Sequence, residues 1–142
     1  MDTISILAAL DENYLPQLTV MLTSFYLNNP GEKAELYLLY SGISRHGLET
    51  TEEKCRQFGM KFYPVRVDGS LFQDAPVTRQ YPKEMYYRLL ASRLLPERLD
   101  RVLYLDPDTL IINPLRPLWE MDLRGSLFAA AAHTGMTELA NR

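Results

Sequence analysis

The sequence predicts an α/β protein built on a mainly parallel β-sheet flanked by helices. Apolar runs that suit strands alternate with amphipathic helical stretches over about the first hundred residues, as in consecutive βαβ units. The first run is apolar throughout, which is typical of a strand buried on both faces of a sheet. Acidic residues follow two of the runs, at Asp11 and Asp106. The carboxyl ends of parallel strands form the ligand-binding edge of such sheets, so we expect both acids to face one cleft.

Strands are predicted at residues 3–10 and 35–41, and each is followed by a helix. The first helix starts at Tyr14 and ends at the Asn-Asn-Pro-Gly sequence of residues 28–31. The second helix occupies residues 44–59, between a capping serine and a closing glycine.

A third strand is predicted at residues 61–67, and Pro64 favours the sheet edge for it because proline has no backbone N–H to donate. Residues 68–81 show no period and are predicted to form a surface loop that orders around a ligand. A helix between Pro82 and Pro96 follows.

The remaining residues predict strands at 102–105, 110–112 and 127–132, with a short helix or turn at 114–122 that Trp119 anchors. No linker or repeat divides the chain, so residues 1–142 are predicted to form a single domain.

Composition excludes several classes of function. The chain has 18 acidic and 15 basic residues, a net charge of -3 and no basic stripe, so nucleic acid is not an expected partner. The N-terminus lacks the basic segment of a secretory signal and no apolar run is long enough to span a membrane, which favours a cytoplasmic location. Cys55 is the single cysteine and lies on the apolar face of its helix, so a buried thiol is predicted.

The acidic step Asp106-Pro107-Asp108 lies between two apolar runs. In an extended segment the two carboxylates would project to one side, where their oxygens suit Mg²⁺ or Mn²⁺ that also binds a substrate's phosphates. The alternative is a turn whose carboxylates bind backbone amides or the side chains of Arg101 and Arg116.

The turn after the first strand, Asp11 to Tyr14, contains no glycine, which counts against a dinucleotide fingerprint or a P-loop. An acid here could accept from a base or ribose, and Tyr14 could stack on a base, but Asp11 or Asn13 could equally cap the following helix. Arg88 lies beside the apolar face of its helix, either as a partner for a carboxylate such as Asp106 or as a donor to a sugar or phosphate. His133 would be a structural residue at a strand end.

These motifs resemble the N-terminal half of glycosyltransferase family 8, the family of bacterial lipopolysaccharide galactosyl- and glucosyltransferases and of glycogenin. The resemblance lies in ILAALDENY at residues 6–14, GIS at 42–44, YYRL at 86–89, RVLYLDPDTLIINPLRPLW at 101–119, and Asp122-Leu123. It implies a truncated GT-A type fold, a UDP-sugar donor, a saccharide or lipid-linked saccharide acceptor, Mn²⁺ or Mg²⁺, and retention of the anomeric configuration. It also implies a role in lipopolysaccharide biosynthesis, with peripheral membrane association through a part of the protein beyond Arg142.

By position, the resemblance assigns the metal to Asp106 and Asp108. The residues it matches to donor binding are Ala9, Asp11, Glu12, Asn13, Tyr14, Arg88 and the Asp106-Pro107-Asp108 step. Glu12 replaces a second Asp of many relatives. The third metal ligand of the family, a histidine, belongs to a later segment and is not His133, so no residue here is assigned to the catalytic step.

Two other functions remain open. The chain could bind a nucleotide sugar without turnover, as a fragment or regulatory remnant. Leu-Asp-Pro-Asp-Thr-Leu also resembles the nucleophile motif of haloacid-dehalogenase-type phosphatases. That motif normally follows the first strand, whereas here it comes after three predicted strands, with too few residues behind it for the later motifs.

Overall fold

A computed structural model describes residues 2–78 and 83–132, and these form one parallel sheet with helices on both faces. The strand order is β3-β2-β1-β4, and every neighbouring pair is parallel. The strands are β1 (Ile4–Ala9), β2 (Ala34–Tyr40), β3 (Lys61–Arg66) and β4 (Leu103–Tyr104). The α-helices are α1 (Leu15–Asn28), α2 (Arg45–Gln57), α3 (Ala91–Leu94) and α4 (Arg116–Trp119), and 3₁₀ helices occupy Glu12–Tyr14, Gly69–Phe72 and Lys83–Leu90.

Strand β1 lies in the interior of the sheet, and all six of its residues are buried. Ile4, Ile6 and Ala8 pack with α1 on one face. Leu7 and Ala9 pack on the other face with Tyr87 of the Lys83–Leu90 helix. Because successive side chains of a strand point to opposite faces, a continuously apolar strand is what this position requires.

Strand β3 is at the edge of the sheet, as Pro64 predicted. Pro64 is paired in register with Leu38 of β2, and its side chain is exposed. Among the described residues, β3 pairs with β2 on one side and has no strand on the other. An edge strand tolerates proline because the backbone groups on its open side need no partner strand.

The predicted helices α1 and α2 are confirmed. Ser44 caps α2 through its side-chain oxygen, which accepts from the backbone N–H of Gly47 at 3.0 Å. The helix predicted before Pro96 begins as the 3₁₀ helix Lys83–Leu90 and becomes α-helical only in α3. Within the predicted loop at 68–81, the described residues contain the short 3₁₀ helix Gly69–Phe72.

Two of the predicted strands are wrong. Residues 110–112 form no strand, because the backbone of Ile111 is bonded to side chains of α1 instead of to another strand. Residues 127–132 form none either, and Leu127 and Phe128 are 97% and 78% exposed. No neighbouring strand exists for them among the described residues, and apolar character alone does not make a strand. His133, where that strand was predicted to end, lies outside the described residues.

Candidate donor-binding cleft

A cleft opens at the carboxyl ends of β1 and β4, between the turn after β1 and the turn after β4. The chain passes from β1 to β2 and β3 in one direction and returns to the other side of β1 for β4, so β1 and β4 flank the switch point of the sheet. The described residues that line the cleft are Ala9, Leu10, Asp11, Tyr14, Glu84, Met85, Tyr104, Asp106, Pro107 and Asp108. Asp11 and Asp106 therefore face one cleft, as the sequence predicted.

The Asp106-Pro107-Asp108 step forms a turn rather than the predicted extended segment. The backbone N–H of Thr109 donates to the carbonyl of Asp106 at 3.0 Å. Pro107 is buried and both aspartates are exposed, so the turn presents two carboxylates to the same cleft.

The arginines that could have paired with these carboxylates bind elsewhere. Arg101 donates to the backbone carbonyls of Trp119 and Met121. Arg116 forms ion pairs with Asp2 and Glu32. Neither contact involves the aspartates of the turn, so these two arginines do not neutralise the carboxylates in the cleft.

Tyr104 connects Asp106 with Arg88 on the floor of the cleft. The guanidinium of Arg88 lies over the Tyr104 ring, 5.4 Å from its centroid. Burial, together with the neighbouring Asp106 carboxylate, raises the pKa of Tyr104 to about 12, while Arg88 opposes the shift. Arg88 is exposed and contacts Tyr104. Tyr104 in turn neighbours Asp106, so the tyrosine lies between the guanidinium and the carboxylate.

In the turn after β1, Asp11 has the helix-capping role that the sequence left open. Its side chain accepts from the backbone N–H of Asn13 at 2.9 Å, which caps the 3₁₀ helix Glu12–Tyr14. It also lines the cleft together with Tyr14. Asn13 is exposed, and neither Asn13 nor Glu12 is among the described residues that line the cleft. The Glu12 carboxylate instead accepts from the hydroxyl and the backbone N–H of Ser44.

Asp106 and Asp108 suit a divalent cation with hard oxygen preference. Mg²⁺ is commonly bound by one or two carboxylates together with water and substrate phosphates, and Mn²⁺ also prefers oxygen ligands. Two exposed carboxylates in one cleft match that pattern. Across residues 2–78 and 83–132, no group of three or more His, Cys, Asp or Glu side chains is placed to hold a metal ion. The described residues thus fit a cation that a bound ligand helps to coordinate.

Four residues that line the cleft were not predicted from the sequence: Leu10, Glu84, Met85 and Tyr104. Glu84 and Met85 come from the 3₁₀ helix, and their position depends on how that helix packs on the sheet. Tyr104 lies two residues before Asp106 in a strand, so the alternation of side chains could have placed it. The cleft has a volume of about 230 Å³, below the roughly 300–1,000 Å³ of sites that enclose drug-sized ligands. The described residues alone would therefore not enclose a ligand as large as a nucleotide sugar.

Comparisons with known proteins agree on one family. The sequence pattern of Glycosyl transferase family 8 matches residues 5–142. General stress protein A of Bacillus subtilis is 28% identical over 94% of this chain and 47% of its own length. Lipopolysaccharide 1,2-glucosyltransferase of Escherichia coli K12 is 27% identical over 90% of this chain and 38% of its own length.

A solved structure of the galactosyltransferase LgtC, in complex with donor and acceptor sugar analogues, superimposes with a TM-score of 0.78 at 30% identity. The match covers 84% of this chain and 43% of LgtC. The chain spans less than half the length of these relatives. Among residues 2–78 and 83–132, no helix is long and apolar enough to cross a membrane.

Proposed function

Because the chain belongs to Glycosyl transferase family 8 and has the GT-A fold of LgtC, we propose that it forms the donor-binding part of a hexosyltransferase. This enzyme would transfer a sugar from a UDP-sugar to a saccharide acceptor. The main support is the cleft at the switch point, where the turns after β1 and β4 present Asp11, Tyr14, Asp106 and Asp108 together. The family match covers residues 5–142 and so includes the Asp106-Pro107-Asp108 turn. This turn is therefore explained by the glycosyltransferase family, which counts against the phosphatase alternative.

In this proposal the turn after β1 binds the nucleoside of the donor, and the turn after β4 binds its diphosphate through the metal. Tyr14 offers a ring face to the uracil base, and Asp11 accepts from donors on the base or ribose. Asp106 and Asp108 hold Mn²⁺ or Mg²⁺, which when bound offsets the negative charge of the diphosphate leaving group. Arg88, beside Tyr104, donates to the sugar side of the donor. Retention of configuration follows the resemblance to the family.

The acceptor is proposed to be a saccharide or lipid-linked saccharide, with lipopolysaccharide synthesis as the setting. One relative is named lipopolysaccharide 1,2-glucosyltransferase, and a relative from Salmonella typhimurium, 22% identical, is named lipopolysaccharide 1,3-galactosyltransferase. A cytoplasmic location fits nucleotide-sugar chemistry.

One observation favours a second candidate, a nucleotide-sugar-binding protein without turnover. The described residues supply two carboxylates to the metal and no third protein ligand. Binding of donor and metal would then be retained, and transfer or hydrolysis of the sugar would not occur.

Thermal unfolding with UDP-glucose or UDP-galactose tests the proposal. A ligand at 100 times its Kd stabilises a folded protein by about 2.7 kcal/mol. We expect UDP-sugar to raise the melting temperature only when Mn²⁺ or Mg²⁺ is present. Asp106→Asn or Asp108→Asn should abolish this shift and leave the melting temperature without ligand unchanged, because both side chains are exposed.

Asp100→Asn is the matched control, since Asp100 is an exposed carboxylate outside the cleft. It should retain the full metal-dependent shift. A shift that is equal with and without metal, or that survives both substitutions in the turn, would contradict the proposed site. Release of UDP from the donor then distinguishes the enzyme from the binding protein.

A further inference from the structure

Glu12 and Ser44 join the two loops that leave the neighbouring strands β1 and β2 at the same edge of the sheet. The Ser44 hydroxyl donates to one carboxylate oxygen of Glu12, and the Ser44 backbone N–H donates to the other at 3.4 Å. The same hydroxyl oxygen accepts from the backbone N–H of Gly47 at 3.0 Å. A short series of hydrogen bonds thus runs from the first turn of α2 to the turn of the cleft.

The two loops approach each other closely at Gly47. A Cβ at this position would lie 2.8 Å from Cδ1 of Leu15 and 3.0 Å from a carboxylate oxygen of Glu12. Gly47 is buried although it belongs to the first turn of a helix. The start of α2 is therefore packed directly against the 3₁₀ turn that contains Glu12.

Glu12 stands between two residues that do line the cleft. Asp11 precedes it, and Tyr14 ends the 3₁₀ helix that Glu12 begins. The Glu12 side chain points to Ser44 and takes no part in the described lining of the cleft. Fixing Glu12 consequently fixes the backbone that orients Asp11 and Tyr14.

We infer that Glu12 is a positioning residue: its hydrogen bonds to Ser44 hold the turn after β1 in the conformation that receives the nucleotide part of the donor. The inference deepens the proposed function and rests on it. It differs from direct donor binding by Glu12, which the family resemblance implied, because the partner of the carboxylate is Ser44, the residue that caps α2.

Two substitutions with opposite changes of charge test this role. Glu12→Ala removes the acceptor and one negative charge. Ser44→Asp keeps a side chain that can cap α2 but replaces the hydroxyl donor with a carboxylate that repels Glu12. Both should weaken binding of UDP with Mn²⁺ by about tenfold, measured by calorimetry, whereas a general electrostatic effect would shift the two affinities in opposite directions.

The double variant Glu12→Ala with Ser44→Asp should bind UDP no more weakly than either single variant, because the same link is broken only once. Glu53→Ala, on the exposed face of α2, is the control and should leave the affinity unchanged. Direct donor binding by Glu12 predicts a different result: Glu12→Ala would weaken binding and Ser44→Asp would not. That result would overturn the inference.

Hydrogen exchange of the ligand-free protein gives a second readout that does not depend on nucleotide. Amides of residues 11–14 should exchange faster in both single variants than in Glu53→Ala, and unchanged exchange would overturn the inference whether or not UDP binds. A wild-type protein that binds no UDP would refute the proposed function. UDP binding that is equal in the wild type and the variants would refute only the role of Glu12.

Discussion

Cys55 shows how burial of one side chain makes stability depend on pH. The thiol is fully buried, and this burial raises its pKa to about 12, with a smaller contribution from Glu52. In the unfolded chain a thiol ionises near pH 8.5, so the unfolded state gains favourable ionisation above that pH and the folded state does not. The stabilising effect is complete below about pH 8.5 and is lost as the pH rises towards 12.

We therefore expect the free energy of unfolding to fall by about 1 kcal/mol between pH 8 and pH 9.5 because of this thiol. Urea unfolding of the wild type and of Cys55→Ala, in a reducing buffer, measures the difference. The variant should be less stable at both pH values but should lose less stability between them. Tyr37 and Tyr104, whose pKa values burial also raises to about 12, act only above about pH 10. An equal loss in both proteins would show that the thiol is not responsible.

At the scale of elements, α1 fixes the segment that follows the turn of the cleft. The Ser24 hydroxyl oxygen accepts from the backbone N–H of Ile111 at 2.9 Å, and Asn28 donates to the Ile111 carbonyl at 3.0 Å. Ile111 is buried, so its N–H has no access to water as a substitute partner. Side chains of α1 thus supply the backbone of Ile111 with the hydrogen bonds that a neighbouring strand would supply in a sheet.

Ser24→Ala should consequently lower the free energy of unfolding by about 1–3 kcal/mol, the cost of leaving a buried N–H without a partner. Thr23→Ala is the matched control. Thr23 is the neighbouring hydroxyl on α1, and within residues 2–78 and 83–132 its hydroxyl bonds its own helix, through the carbonyl of Thr19 at 2.7 Å. Its substitution should change stability by less than about 0.5 kcal/mol. Equal losses in chemical denaturation would contradict the contribution of the Ile111 bond.

The same segment shows why some elements could be predicted from the sequence and others could not. Strand β1 was predictable because its burial on both faces requires an unbroken apolar run, and α2 because Ser44 and Gly59 mark its ends. Residues 110–112 have an equally apolar sequence, but Leu110 and Ile112 are exposed and only Ile111 is buried. Whether an apolar run becomes a strand depends on a neighbour that the run does not encode.

At the scale of the whole molecule, the predictable part of the cleft is the part that the order of strands determines. Asp11 and Asp106 follow strands that are adjacent in the sheet, so their meeting required only parallel β1 and β4. Glu84 and Met85 reach the cleft through the packing of the Lys83–Leu90 helix on the sheet, which no local pattern specifies. The direction of the Glu12 side chain likewise depends on where α2 begins, not on the turn itself.

Exposed apolar residues after β4 favour association between molecules. Leu127 and Phe128 are 97% and 78% exposed and begin the Leu-Phe-Ala-Ala-Ala-Ala sequence of residues 127–132, which has no charge or proline. A segment of low charge and high apolar content that is not paired in a sheet favours intermolecular association. We expect a protein consisting of residues 1–142 to self-associate at high concentration through these residues.

Replacement of both side chains, Leu127→Lys with Phe128→Lys, should reduce this association and leave the melting temperature nearly unchanged, because neither side chain contributes much buried area. Sedimentation velocity and light scattering over a concentration series measure the first effect, and calorimetry the second. Val20→Lys, at a 57% exposed apolar position on α1, controls for added charge. If it suppresses association equally, net charge rather than residues 127–132 governs association. If the double variant melts much lower, these side chains stabilise the fold.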